Sequence, residues 1–142
     1  MNWRVIVWML AVSLIGSQNA SAKHKCDVAN KDRPEMIVAT CTDALQMSGM
    51  TAEQQAEFFF LRGVARLQSH SRDEVGAEQD YKQGLQLDPK HHRLHREVGN
   101  LALNNGDFEL AYSQAVKAVT LGPENAANFE FLSRLFDLAR DR

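Results

Sequence analysis

The 34 residues from Lys90 to Pro123, "KHHRLHREVGNLALNNGDFELAYSQAVKAVTLGP", decide how this chain folds. Apolar residues recur in them at three- and four-residue steps on both sides of the turn signal "NNGD", which predicts helices over 92–103 and 108–121. Gly122 and Pro123 end the second helix. Because the turn between them is short, we expect the two helices to pack as an antiparallel hairpin.

The same pattern occurs once more in the preceding stretch of sequence. Pro89 and Pro123 are 34 residues apart, and counting back from each proline gives matched residues. The matched pairs are Leu87 with Leu121, Gly84 with Ala118, Tyr81 with Ala115, and Ala77 with Ala111. Small residues at fixed places let neighbouring helices approach closely. A helix-turn-helix period of this length with this alternation resembles the tetratricopeptide repeat, or TPR.

Helical spacing continues through the rest of the chain, whereas strand signals are nearly absent. The further predicted helices are 34–47, 51–68 with Thr51 and Gln54 as a capping box, 73–87 and 124–141. The expected fold is therefore all-α.

The resemblance implies a short TPR-like α-solenoid of antiparallel hairpins over residues 34–142. Full repeats are expected at about 56–89 and 90–123, which with a degenerate first unit and a C-terminal capping helix makes about two and a half repeats. In the first full unit the loop "SHSRDE" is expected to be two residues longer than its counterpart in the second.

Residues 1–22 have the pattern of a secretory signal peptide. Arg4 precedes the apolar run "VIVWMLAVSLIG", and small residues stand at Ala20 and Ala22 before the expected cleavage point. Spanning a bilayer takes about 20 apolar residues, so this run is too short to remain as an anchor. We expect a protein of the periplasm or the cell exterior, without stable membrane insertion after cleavage.

Cys26 and Cys41 are the two cysteines of the sequence. An isolated even pair in an oxidising compartment predicts a disulfide, which would staple the N-terminal segment 23–33 to the first helix. Metal binding by two thiols is the alternative interpretation.

Charge and motifs argue against several classes of function. The chain has 16 Lys and Arg against 18 Asp and Glu, and loss of Arg4 with the signal peptide leaves 15 against 18, a net charge of −3. Such a balance gives no field that attracts nucleic acid. No Ser lies in a G-x-S-x-G turn, and the glycines inside the predicted helices stand singly. We therefore expect neither an enzyme nor a bound cofactor.

Three histidines, His91, His92 and His95, lie within five residues. Their three- and four-residue spacings would place two imidazoles on one helical face, as zinc accepts, although the H-E-x-x-H motif is missing. The repeat register gives His95 a packing position, because Phe59 and Phe129 occupy it in the neighbouring units. Metal binding through these histidines remains an alternative.

Peptide binding is the function that the resemblance implies, because TPR units line a groove with the first helix of each hairpin. The expected groove residues are Phe60, Val64, Arg93, Arg96, Asn100, Leu103 and Arg134, with Glu57, Leu67, Glu130 and Asp137 beside them. Arg96 and Asn100 would hold a peptide carboxylate or backbone amide, and Glu130 and Asp137 would neutralise the arginines. Phe60 is expected to face the groove as an aromatic anchor.

The function expected from these features is non-catalytic binding of a protein or peptide, as an adaptor or assembly factor of the bacterial periplasm or envelope. A structural subunit of a larger envelope complex is a further alternative.

Overall fold

The computed structural model describes Cys26 and residues 32–141. The helices of this part of the chain are α1 (Pro34–Leu45), α2 (Ala52–Gln68), α3 (Glu74–Leu87), α4 (His92–Asn104), α5 (Phe108–Leu121) and α6 (Ala126–Arg140). No strand occurs among the described residues, so the all-α prediction is confirmed. The predicted signal peptide at 1–22 and most of the segment 23–33 lie outside the described residues.

Consecutive helices pack against one another, with the closest association of α2 with α3 and of α4 with α5. Direct contact between α4 and α6 joins the second hairpin to the last helix. The core has three clusters of buried side chains, which include Ile37 and Phe58, then Phe60, Tyr81 and Leu94, and finally Phe131 and Leu135. The apolar interior thus extends from the first described helix to the last.

Local signals account for the helix limits. Thr51 and Gln54 form the predicted capping box at the start of α2. Asp107 caps α5 by accepting a hydrogen bond from the backbone of Leu110. The connection between α2 and α3 spans residues 69–73, and that between α4 and α5 spans 105–107, which confirms that the first loop is two residues longer.

The small residues of the 34-residue period lie where helices meet. Ala77, Ala111 and Ala115 are fully buried. A Cβ atom added at Gly63 would stand 2.3 Å from Cε1 of Tyr81, and one at Gly99 would stand 2.6 Å from Cε1 of Phe131. Packing of each aromatic ring against the neighbouring helix therefore requires the absence of a side chain at both glycines.

The N-terminal end of the described chain is covalently closed. Cys26 and Cys41 form the predicted disulfide, with their Cα atoms 5.1 Å apart, and no free thiol is left for a metal. Both cysteines are fully buried and pack with Ile37, Ala44 and Phe58. The bridge thus attaches the segment before α1 to the hairpin that follows it.

A buried ion cluster joins α1, α2 and α3. The Asp80 carboxylate, which is almost fully buried, accepts hydrogen bonds from Nε and Nη2 of Arg62 at 3.0 and 2.6 Å. Nε of Arg66 lies 3.0 Å from the same carboxylate, and Nη1 of Arg62 donates to Thr42. The packing of these three helices therefore depends on one carboxylate.

The C-terminal helix α6 has two apolar sides. Its inner side buries Asn128, Phe131 and Leu135, whereas Phe129 and Phe136 are 47% and 55% exposed on its outer side. Among the described residues no helix is both long and apolar enough to cross a membrane.

Candidate functional site

The expected groove residues lie on α2 and α4, the first helices of two hairpins, and on α6, the last described helix. We call the surface that these three helices share the first-helix face. Side chains at equivalent positions of successive helices contact each other across it. Glu57 of α2 pairs with Arg93 of α4, 36 residues further along the chain. Nη2 of Arg134 donates to Oδ1 of Asn100, 34 residues before it, at 2.7 Å. The two residues of difference are those of the longer loop between α2 and α3, so the contacts follow the period of the sequence. Nε2 of His91 also lies 3.0 Å from Oε2 of Glu57.

At the α2 end of this face the expected aromatic anchor is covered. The guanidinium of Arg93 lies 4.5 Å from the centroid of the Phe60 ring, and the His91 ring lies 5.6 Å from it. Phe60 is only 7% exposed. The expectation that Phe60 presents an exposed ring is therefore wrong, because Arg93 is held over it by an ion pair with Glu57.

Glu57 holds the side chains of His91 and Arg93 over the Phe60 ring. Burial raises the pKa of its carboxyl, but the hydrogen bond from His91 and the charge of Arg93 outweigh burial and leave the pKa below its ordinary value. The carboxylate therefore stays charged at neutral pH. Val64 and Leu67, the other expected groove residues of α2, are partly buried against the second core cluster. The α2 part of the first-helix face is consequently closed by the protein's own side chains.

An open cleft lies between α4 and α6. Its volume is about 340 Å³, and it is lined by Arg96, Asn100, Ala127, Glu130, Phe131 and Arg134. Four of these residues were predicted as groove positions from the repeat register. Leu103, which was also predicted, is partly buried against the third core cluster and lies outside this lining.

Glu97 contacts the two polar residues on the α4 wall of the cleft. Nη2 of Arg96 lies 3.1 Å from Oε1 of Glu97, and Nδ2 of Asn100 donates to Oε2 of the same carboxylate at 3.3 Å. The expected neutralisation by Asp137 is wrong, since Asp137 pairs with Arg140. Arg96 is thus largely satisfied within the protein.

Arg134 and Glu130 on the α6 wall are differently placed. Arg134 is exposed, with its guanidinium 5.3 Å from the centroid of the Phe131 ring, and its polar contact is the neutral amide of Asn100. Neither Arg134 nor Glu130 forms an ion pair with any other described residue. The cleft therefore offers one positive and one negative charge to a ligand.

Asn128 positions the cleft from beneath, and sequence reasoning missed it. This fully buried side chain donates through Nδ2 to the backbone oxygens of Ala118 and Gly122 at 2.8 and 3.0 Å. Its Oδ1 lies 3.4 Å from Nη1 of Arg96. Asn128 thereby ties the end of α5 and the α4 wall to the start of α6. The sequence signal that could have found Asn128 is its place in the last predicted helix, where a polar residue stands at a position that the apolar spacing assigns to the buried face.

Replacing Asn128 with alanine is expected to lower the free energy of unfolding by about 2 kcal/mol. The loss is moderate because each carbonyl keeps a backbone donor, Gly122 for Ala118 and Asn125 for Gly122. Urea unfolding monitored by circular dichroism measures the change, and Asn104→Ala, an exposed position on α4, is the matched control, expected within about 0.5 kcal/mol of wild type. Equal stability of the two variants would show that Asn128 does not hold the helix ends together.

The three clustered histidines have separate partners. His91 contacts Glu57 and caps α4, while His95 is buried between Gln114 and the backbone oxygen of Pro89. Burial lowers the pKa of His92, whose Nδ1 lies 3.1 Å from the Asn128 amide. In the described part of the chain no group of three or more His, Cys, Asp or Glu residues is arranged to hold a metal ion. The packing interpretation of His95 is confirmed by its burial.

Neither a protein-family model nor a curated protein matches this chain. The site combines two opposite charges without ion-pair partners, an amide and the flank of a buried aromatic ring in an open cleft. This set of groups suits hydrogen bonding and ion pairing with a ligand that carries both polar backbone and charged side chains.

Proposed function

We propose that the protein is a TPR-like module that binds a peptide segment of another protein without catalysis. The observation that carries the proposal is the cleft between α4 and α6, with Arg134 and Glu130 on one wall and Asn100 on the other. Three features support the class of module: the 34-residue period, the resemblance that it carries, and the contacts between equivalent positions of α2, α4 and α6.

The ligand that fits this cleft is an extended peptide with an acidic side chain. Arg134 would pair with the acidic side chain, since a guanidinium gives a carboxylate two parallel hydrogen bonds. Asn100 would contact the peptide backbone, and Glu130 would accept from a backbone N–H or a basic side chain. Arg96 stabilises the wall through its ion pair with Glu97.

The place of action that we propose is the periplasm or envelope of a bacterium, where the module would serve as an adaptor or assembly factor. The N-terminal sequence pattern of a signal peptide supports this placement. The buried Cys26–Cys41 disulfide supports it independently, because such bonds persist in oxidising compartments.

The experiment is a peptide selection against the wild-type protein, followed by affinity measurement for the selected peptides. Arg134→Glu is expected to weaken binding about tenfold or more, because it replaces an attractive contact by repulsion of the acidic ligand. Arg134 is a better probe than Arg96, since Arg96 contacts Glu97, Asn125 and Asn128 and its replacement would also disturb the fold.

The matched control is Lys117→Glu, an exposed position on α5 with the same change of charge. It is expected to bind like wild type. Equal weakening by both variants would mean that net charge alone drives the interaction, and unchanged affinity of Arg134→Glu would remove the cleft as the binding site. Circular dichroism of each variant checks that the fold is intact.

A further inference from the structure

The outer side of α6 carries an apolar stripe that the described residues cover only in part. It consists of Phe129, Leu132, Ser133 and Phe136, whose spacing of three, one and three residues places them on one helical face. Both phenylalanine rings are about half exposed. Single exposed apolar residues are ordinary, but a continuous stripe indicates an interaction surface.

The equivalent positions of the two complete hairpins identify what this face does. On α2, two repeats before α6, Arg62 binds Asp80 of α3, and Gly63 lies against Tyr81 of α3. On α4, His95 lies 2.7 Å from Gln114 of α5. In each hairpin this face of the first helix therefore holds the second helix. The stripe on α6 is the same face without its helix among the described residues.

The neighbouring surface of α5 is apolar as well. Tyr112 and Val116 are exposed there, and the Tyr112 ring meets the Phe136 ring edge-on with centroids 5.9 Å apart. One repeat earlier the same positions are Glu78 and Lys82, an exposed ion pair. The last hairpin thus has apolar residues where the preceding hairpin has solvated charges, which is expected of a surface that becomes covered.

We propose that a second copy of this chain covers the stripe, with the two α6 helices packed antiparallel about a two-fold axis. A two-fold contact requires a patch that is complementary to itself. The stripe has this property, because reversing the helix direction exchanges its two outer phenylalanines and brings the large Leu132 opposite the small Ser133. An axis between Leu132 and Ser133 sets Phe129 opposite Phe136 of the second copy and Leu132 opposite its Ser133.

Charges at the two ends of α6 agree with the antiparallel arrangement. Arg140 is exposed near the end of the helix, and Glu124 is exposed just before its start. Reversal about the same axis brings Arg140 of one copy next to Glu124 of the other. The opposed helix dipoles add a favourable contribution. Self-complementarity in both shape and charge favours a second copy over a helix of an unrelated protein.

Sedimentation equilibrium of the full mature chain over micromolar to millimolar concentrations tests the proposal. Wild type is expected to dimerise, and Phe136→Glu is expected to weaken dimerisation about thirtyfold or more, since an interface anchor is replaced by an unpaired charge. The control is Val75→Glu, which adds the same charge at an exposed apolar residue of α3 and is expected to leave the dimer unchanged. A monomeric wild type, or a dimer unaffected by Phe136→Glu, would overturn the proposal.

A cross-linking experiment keeps the test valid if Phe136→Glu fails to fold. Ser133→Cys places a thiol beside the proposed axis, so mild oxidation is expected to give a covalent dimer. Ser71→Cys, in the exposed loop between α2 and α3, is expected to stay monomeric. Equal cross-linking of both variants would overturn the antiparallel α6 contact. The absence of a cross-link in Ser133→Cys would also overturn this contact. A helix of another protein would then be the occupant of the stripe.

Discussion

Replacing Asp80 with alanine is expected to lower the free energy of unfolding by about 3–5 kcal/mol, the cost typical of removing one partner from a buried ion pair. The reason is the position of its two partners. Arg62, with only 13% of its side chain exposed, would keep its charge without the carboxylate that it now contacts through two nitrogens. Arg66 would lose one of its two carboxylate neighbours, Asp80 and Asp73.

Urea unfolding at neutral pH measures this loss, provided that the dependence of the free energy on urea concentration is similar for both proteins. Glu78→Ala is the matched control, because Glu78 lies on the same helix and forms an exposed ion pair with Lys82. Exposed pairs contribute about 0–1 kcal/mol, so this variant should resemble wild type. If Asp80→Ala were no less stable than Glu78→Ala, the cluster would not be a stabilising feature.

Opening the Cys26–Cys41 disulfide is expected to cost about 3 kcal/mol, because the bridge closes a loop with a sequence separation of 15 residues and restricts the unfolded chain. The effect should be largest in α1. This helix lacks a side-chain hydrogen bond at its N-cap, and its buried residues, Ile37, Cys41 and Ala44, pack around the bridge.

Two measurements separate the covalent constraint from the packing of the sulfur atoms. Wild type is unfolded in urea with and without a reductant, and the double variant Cys26→Ala, Cys41→Ala is unfolded under the same conditions. The reductant should destabilise wild type by about 3 kcal/mol and leave the double variant unchanged. A wild-type protein indifferent to reductant would mean that the bridge contributes no stability.

Local sequence signals predicted the helices of the described chain and their order. The capping box at Thr51, the turn after Asn104 and the longer loop after α2 each depend on residues close in sequence, and the structure confirms them. The Cys26–Cys41 pairing was predictable for another reason, since two cysteines allow one intramolecular bond.

The candidate site was only partly predictable. The repeat register correctly placed Arg96, Asn100 and Arg134 around one cleft, because residues one period apart occupy equivalent positions on stacked helices. It did not predict that Glu97 would neutralise Arg96, or that Arg93 would cover Phe60. These outcomes depend on side-chain directions and on which charges come within reach, and a periodic pattern contains neither.

By itself, the sequence determined the all-α class, the helix limits and the disulfide, because propensity, capping and apolar spacing act over a few residues. Tertiary structure alone decided which polar groups are buried and which stay available to a ligand. Asp80 and Asn128 are ordinary helix residues in the sequence and become buried supports once three helices meet at each of them. The physical reason is that desolvation and hydrogen bonding depend on neighbours from other helices, and packing brings those neighbours together.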